Sequence, residues 1–161
     1  MDFFNPDCQE LPINHSLFGI CDDQEGGKAY TDLDNPDKWI ATVRNDKNIL
    51  LTFAAIDKCV VKDDELKGVG RCDGMLTSNT HLYLIELKDQ VKKWIPGALE
   101  QLESTIKLFI ANHDISAFRH KKAFACNKRH RHFEEIDNEL NLHFFRTYGF
   151  RIDVQVEVII V

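Results

Sequence analysis

The sequence lacks any apolar run that could cross a bilayer: its longest, residues 49–56, falls far short of the roughly 20 residues such a helix needs. It does not open on a charged-then-apolar leader either, so a cytoplasmic protein with no membrane partner is expected. Cysteine is sparse and odd in number. Cys8, Cys21, Cys59, Cys72 and Cys126 include no C-x-x-C pair, which speaks against a cysteine zinc site and gives no disulfide framework, so reduced thiols are expected. Proline is rarer still, and Pro6, Pro12 and Pro36 all fall before residue 39. No internal repeat, low-complexity tract, zinc finger or base-reading helix is visible.

What is present fits one soluble domain. The chain has 161 residues, 43% apolar and 29% charged, enough for a real core and too apolar for disorder. The formal charge of -6 speaks against a polyanionic partner until its distribution is read. Residues 1–80 carry 8 Lys+Arg against 15 Asp+Glu, net -7, whereas residues 81–161 carry 12 against 11, net +1. Residues 119–132 hold six Lys/Arg and three His with no acid, so a local basic surface is compatible with the acidic mean.

The first 38 residues, with their prolines, the pair Gly26-Gly27 and acids between Asp22 and Asp37, read as an irregular surface wrap. Residues 39–44 and 49–56 are β-rich and flank a turn-prone tetrapeptide, which predicts a hairpin. A second hairpin is expected from residues 69–76 and 82–88, joined by the turn formers Thr77-Ser78-Asn79-Thr80. Leu99, Leu102, Ile106 and Phe109 recur at helical spacing after Pro96-Gly97, predicting a helix that ends near Asn112. Residues 123–126 form a short apolar strand. Phe133, Ile136, Leu140 and Phe144 mark a second amphipathic helix stopped by Gly149, and residues 150–160 alternate as one half-buried strand. The order is four strands, helix, strand, helix, strand: an α/β or α+β fold with a mixed central sheet flanked by helices.

Along an extended strand, residues two apart share a face, so Glu86 and Lys88 leave the 82–88 strand together with Leu84. If residues 77–80 form the loop, Leu76 sits opposite His81, and Asp73 opposite Leu84, diagonal to Glu86. Two close carboxylates repel unless one is protonated or a cation lies between them, and hard oxygen donors suit Mg²⁺ or Mn²⁺. A metal with an adjacent lysine supplies what phosphodiester hydrolysis needs, an activated water and stabilised charge. The alternative is a solvated strand face with cross-strand charge pairing. Against it, Leu84 on that face and Ile85 and Leu87 on the other make the strand look buried on both sides.

Asp73, followed by Glu86-Leu87-Lys88 at the end of an apolar strand, resembles the PD-(D/E)XK nuclease superfamily, with its restriction-endonuclease-like, RecB-like and resolvase-like members, over residues 49–127. The resemblance implies that Asp73, Glu86 and the backbone carbonyl of Leu87 hold the metal, and that Lys88 orients or activates the attacking water. It places Gln101, on the following helix, near the site. Cys72 stands where the motif has proline, and the acid that many members supply from an early helix is unmatched, with Asp57 and Glu65 as candidates. A second tripeptide, Glu65-Leu66-Lys67, lies in a polar stretch without a preceding strand and reads as a decoy.

The expected function is therefore a Mg²⁺- or Mn²⁺-dependent endonuclease-like hydrolase acting on nucleic acid, DNA rather than RNA, as a homodimer or with a partner subunit, in restriction, repair or phage defence. Arg119, Lys121, Lys122, Lys128, Arg129 and Arg131 are the expected phosphate-contacting rim; the alternative for them is a solvated loop. Zinc at His130 and His132 lacks further ligands, and Cys72, beside an acid and without an adjacent histidine, reads as a buried structural thiol. Trp39 and Trp94 read as packing residues. The rival function is a nuclease-like module that has lost activity and binds a protein partner.

Overall fold

A strand covered on both faces shows an unbroken apolar run, and every residue from His81 to Leu87 is at most 3% exposed. Around it the computed structural model, which describes residues 1–22, 26–132 and 134–161, builds an α+β fold of two sheets and two helices. In chain order the elements are β1 (Leu17–Cys21), β2 (Tyr30–Asp32), β3 (Ala41–Arg44), β4 (Thr52–Ala55), β5 (Gly74–Thr77), β6 (His81–Lys88), α1 (Ile95–Asn112), β7 (His120–Asn127), α2 (Asn138–Tyr148), β8 (Arg151–Val154) and β9 (Glu157–Ile159).

The larger sheet runs β4-β5-β6-β7-β8 and the smaller β2-β1-β3-β9. Strands β4, β5 and β6 are antiparallel, whereas β6, β7 and β8 are parallel, because α1 and α2 supply the crossovers that parallel neighbours require. Leu82, Leu84, Ala123, Ala125 and Ile152 face Leu102, Ile106 and Phe109 of α1 and Phe144 of α2. Tyr83, Ile85, Phe124 and Cys126 point the other way, against Phe18, Ile20, Val43 and Val158 of the smaller sheet. The layers are thus helices, sheet, sheet. Leu102, Ile106 and Phe109 are fully buried, and each such side chain stabilises the packing by roughly 1.5–3 kcal/mol.

The helix predicted after Pro96-Gly97 and ending near Asn112 is realised as α1, Ile95–Asn112, and Gly149 stops α2 in a left-handed conformation, φ 78°. Several expectations are corrected. Residues 39–44 and 49–56 do not pair: β3 and β4 lie in different sheets. The turn between them is a corner, fixed by buried Asn45, whose side chain donates to the carbonyls of His15 and Ile49 and accepts from the Ile49 amide. The first 38 residues are not only a wrap, since β1 lies inside the smaller sheet, paired on one side with β2 and on the other with β3. Gly19 makes this packing feasible: a Cβ there would stand 2.0 Å from the Trp39 ring. Residues 150–160 are two strands. The chain leaves the larger sheet after Gln155, whose amide donates to the Ala125 carbonyl, and enters the smaller at Val156, whose carbonyl accepts from the Thr42 amide.

The second helix begins later than its apolar spacing predicts, because the Asp137 side chain accepts from the Glu139 amide and caps it there. Ile136 precedes it; Phe133, like Asp23 and Glu25 of the acidic N-terminal stretch, lies outside the described residues. Strand β7 runs longer than the apolar core 123–126, and it is interior, with β6 and β8 on either side. Cys8 and Cys59 are joined in a disulfide, while Cys21, Cys72 and Cys126 are free and buried; spacing alone could not pair residues 51 apart in sequence. Among the described residues no helix is long and apolar enough to cross a membrane.

Candidate active site

The turn between β5 and β6 is tighter than its composition predicts. The Ser78 amide donates to the His81 carbonyl (3.1 Å), and Ser78 Oγ accepts from the amides of Thr80 and His81, leaving only Asn79 and Thr80 as the loop. The register runs from Thr77↔Leu82 to Gly74↔Ile85, two residues away from the expected pairing of Asp73 with Leu84, and Asp73 lies just beyond its last pair. The expected pairing is thereby corrected, and the Asp73 and Glu86 carboxyls nevertheless meet. A slip of two residues preserves the face on which each side chain stands, so the predicted pair survives a wrong loop length. The Asp73 amide still donates to the Ile85 carbonyl, at 3.1 Å, and holds this end of the ladder.

Helix α1 fixes the same segment from above. Gln101 and Thr105, one turn apart, face it. Thr105 Oγ1 accepts from the Cys72 amide at 2.7 Å and donates to the Gln101 carbonyl at 2.8 Å. Gln101 Nε2 donates to the Arg71 carbonyl (3.4 Å), and its Oε1 accepts from Lys88 Nζ at 2.6 Å. Lys88 Nζ also lies 3.1 Å from Glu86 Oε2. Asp73 Oδ2 accepts from the Leu87 amide at 2.7 Å. Asp73, Glu86, Lys88 and Gln101 therefore meet, as expected from the sequence.

Glu86 is 1% exposed, and its Oε1 has no hydrogen-bond partner among the described residues. Burial, then the facing charge of Asp73, hold the Glu86 carboxyl well above its ordinary range, with Lys88 acting in the opposite direction. Burial also raises Asp73, against a hydrogen bond from the Glu86 carboxyl, the Leu87 amide and Lys88, all of which favour its ionised form. The Leu87 carbonyl shares this corner. Backbone groups alternate along a strand, and since the Ile85 carbonyl turns to Asp73 and the Lys88 carbonyl to β7, that of Leu87 turns to the Asp73 side.

Of the two candidates for a third acid, Asp57 stands near the site. Its Oδ1 pairs with Arg71 Nε at 3.0 Å, and its charge contributes to raising Asp73. Glu65 is spent on the Lys62 amide in its own turn, and the tripeptide 65–67 is not part of a strand. Cys72 is fully buried, its thiol pushed far up by burial and by Glu86, consistent with a structural role. His130 gives its Nε2 to the Val91 carbonyl. Among the described residues no group of three or more His, Cys, Asp and Glu side chains is placed to hold a metal ion, so the donors available here are two carboxylates and a main-chain carbonyl.

The basic stretch is divided by β7. Arg119, Lys121 and Lys122 lie at its start, beside the β5–β6 turn; Lys121 donates to the Phe118 carbonyl and Lys122 pairs with Asp153 at 3.8 Å. Lys128, Arg129 and Arg131 follow its end, where the Lys128 amide donates to the Lys88 carbonyl. The six steps along the strand from Lys122 to Lys128 separate the groups by about 20 Å, so only the second adjoins the carboxylates. Sequence reasoning missed Arg71, Thr105 and Asn127. Thr105 falls four residues after Gln101, a spacing that could have exposed it. Asn127 and Arg71 gave no signal, because their roles depend on loops that meet only in the fold.

No family model matches the chain, and no curated protein or solved structure does either; the site stands on its own geometry.

Proposed function

We propose that the chain is a divalent-metal-dependent nuclease that hydrolyses nucleic-acid phosphodiesters, DNA in preference to RNA. The observation that carries this reading is the buried Glu86 carboxyl, beside that of Asp73, with Oε1 lacking a donor among the described residues. A buried acceptor without a partner costs roughly 1–3 kcal/mol, and two facing carboxyls are a hard-oxygen donor set that a small cation completes.

Asp73, Glu86 and the Leu87 carbonyl fit Mg²⁺ or Mn²⁺ in donor type. When bound, such an ion supplies Lewis acidity and lowers the pKa of water at the site. Lys88, held by Gln101, places a positive charge where the attacking water and the phosphate oxygens would lie. Its Nζ can orient the water and offset the charge that develops on phosphate. Gln101 fixes that ammonium, and Thr105 fixes both Gln101 and the strand carrying Asp73. The order β5, β6, α1, β7, with the acid entering β5 and the E-x-K at the end of β6, supports a restriction-endonuclease-like core and the resemblance to PD-(D/E)XK nucleases. A homodimer or partner subunit, and service in restriction, repair or phage defence, belong to the same reading. So does a cytoplasmic location, in which a reducing milieu would tend to open the Cys8–Cys59 bond.

A second reading has its own observation. Lys88 already pairs with Glu86, and Arg71 with Asp57, so a protonated Glu86 leaves the corner self-contained, as an inactive interaction module would be. Calorimetric titration with Mg²⁺ and Mn²⁺, beside incubation with plasmid and single-stranded circles, separates the two. The nuclease reading expects ion binding that disappears in Asp73→Asn, and ion-dependent nicking. Absence of both in the wild type establishes the module.

A further inference from the structure

Strands β6 and β7 are parallel, so the loops that follow them emerge at the same end of the sheet, beside Lys88. These loops are stitched together. The side chain of Asn127, which is fully buried, accepts from the amides of Gln90 and Arg129 and donates to the Gln90 carbonyl. His130 holds the Val91 carbonyl at 2.7 Å, and its ring stacks on Trp94, which is 4% exposed. Arg129 is paired with Asp89 at 2.8 Å, and Lys128 Nζ donates to the Asp37 carbonyl. What this platform presents to solvent is Lys92, Lys93 and Arg131. All three are exposed, and none forms an ion pair among the described residues.

Charge on the two sides of the site is unequal. Residues 57–71, on the β4 side, hold Asp57, Asp63, Asp64 and Glu65 against Lys58, Lys62, Lys67 and Arg71, four of each sign, with two pairs already closed. On the β7 side, residues 88–93 and 127–132 hold six Lys/Arg against Asp89 alone, net +5. A one-sided rim with three free cations matches one phosphate backbone and not the two of a duplex.

We propose that the loops after β6 and β7 form a rim that grips the phosphate backbone of a single nucleic-acid strand, through Lys92, Lys93 and Arg131, as it leads to the Asp73–Glu86 site. This rests on the nuclease reading and names how its substrate is held. Lys92 and Lys93 enter the interface, whereas Arg119, Lys121 and Lys122 leave it.

The test is fluorescence anisotropy of a labelled oligothymidylate with the full chain, in chelator, across roughly 50 to 200 mM salt. Three phosphate contacts on a single strand give a log–log salt slope of about -2. The triple variant K92A/K93A/R131A is expected to lose nearly all of that slope, and R119A/K121A/K122A to keep it. An unchanged slope in the first variant, equal losses in both, no measurable binding by the wild type, or a duplex competing tenfold better than the strand would overturn the rim. Because binding is read without metal, the two proposals fail separately. Rim-dependent binding without cleavage removes the nuclease and keeps the rim; cleavage with a salt slope that ignores the rim variant does the reverse.

Discussion

Glu86→Gln is expected to make the metal-free protein more stable at neutral and alkaline pH while abolishing its activity. The reason is the position of the carboxyl: 2% side-chain exposure, a facing acid, one oxygen without a donor and only Lys88 in compensation. Its proton is held more tightly in the folded chain than in the unfolded one. Below about pH 4, where both states are protonated, the carboxyl's full contribution to stability is present. As pH rises through the ordinary glutamate range the unfolded chain releases the proton and the native chain keeps it, so stability declines until the raised native pKa is passed. An amide carries no such liability, and its N–H can donate to Asp73. Each tenfold by which the folded chain holds that proton more tightly than the unfolded one costs the wild type about 1.4 kcal/mol, a cost the amide does not carry. For a chain of this size each such factor is a rise in Tm of roughly 3–6 °C. Thermal melts followed by circular dichroism from about pH 5 to about pH 8 should show the two proteins converging at the acid end and separating above it. Saturating Mg²⁺ or Mn²⁺ should then reverse the order, since an ion at a hundred times its Kd stabilises the wild type by about 2.7 kcal/mol and the variant by little. A variant less stable than the wild type by the same margin at every pH would refute this, and would make Glu86 a structural partner of Lys88.

Three further outcomes follow from the same contacts. Lys88→Ala should lower cleavage by at least 10²-fold with the fold intact, and should shift metal binding to higher pH because Glu86 loses the cation that favours its ionised form; equal losses of activity and Tm would assign the lysine to structure. Gln101→Ala, which removes the 2.6 Å acceptor of Lys88 Nζ, should reduce kcat more than KM and displace the pH–rate profile, and Gln101→Glu should restore much of the rate; a change confined to KM would contradict its role in positioning Lys88. Opening the Cys8–Cys59 bond, whose ends lie 51 residues apart, should cost about 4 kcal/mol and lower Tm by roughly 8–16 °C, read from melts with and without dithiothreitol. An unchanged Tm would show that the bond does not form.

The core of the site was legible because the argument about it depended on parity. Asp73 and Glu86 share a face whether the turn holds four residues or two, so the error in loop length shifted the register by two residues and still left the two carboxyls together. Gln101 was not legible in that way: the period of α1 puts it at the edge of the apolar stripe, and only the resemblance to the PD-(D/E)XK superfamily placed it near the site. The assignment of strands to sheets was not legible. Residues 150–160 alternate without interruption, yet Ile152 and Val154 pack under the helices while Val156 and Val158 pack between the sheets. Alternation reports that a face is buried and is silent about what buries it. The pair β3 and β4 failed for the same reason, and β1 was hidden by prolines and acids on either side of five residues.

The basic stretch shows the converse limit. Composition places six cations within fourteen residues, but an interior strand carries the chain from one end of the sheet to the other between them, and that separation decides which can meet a substrate. The cations of the proposed rim come from two loops distant in sequence, 88–93 and 127–132, which Asn127 and His130 bind into one surface. Burial then connects this surface to the chemistry. The layers that cover both faces of β6 supply the packing energy of the fold, and they also desolvate Glu86, which is why the proposed ion would gain so much there. A fold that exposed β6 would relieve the carboxyls and lose the reason to bind a cation. Affinity for the ion and the metal-free instability of Glu86 should therefore rise and fall together in any series of substitutions around β6.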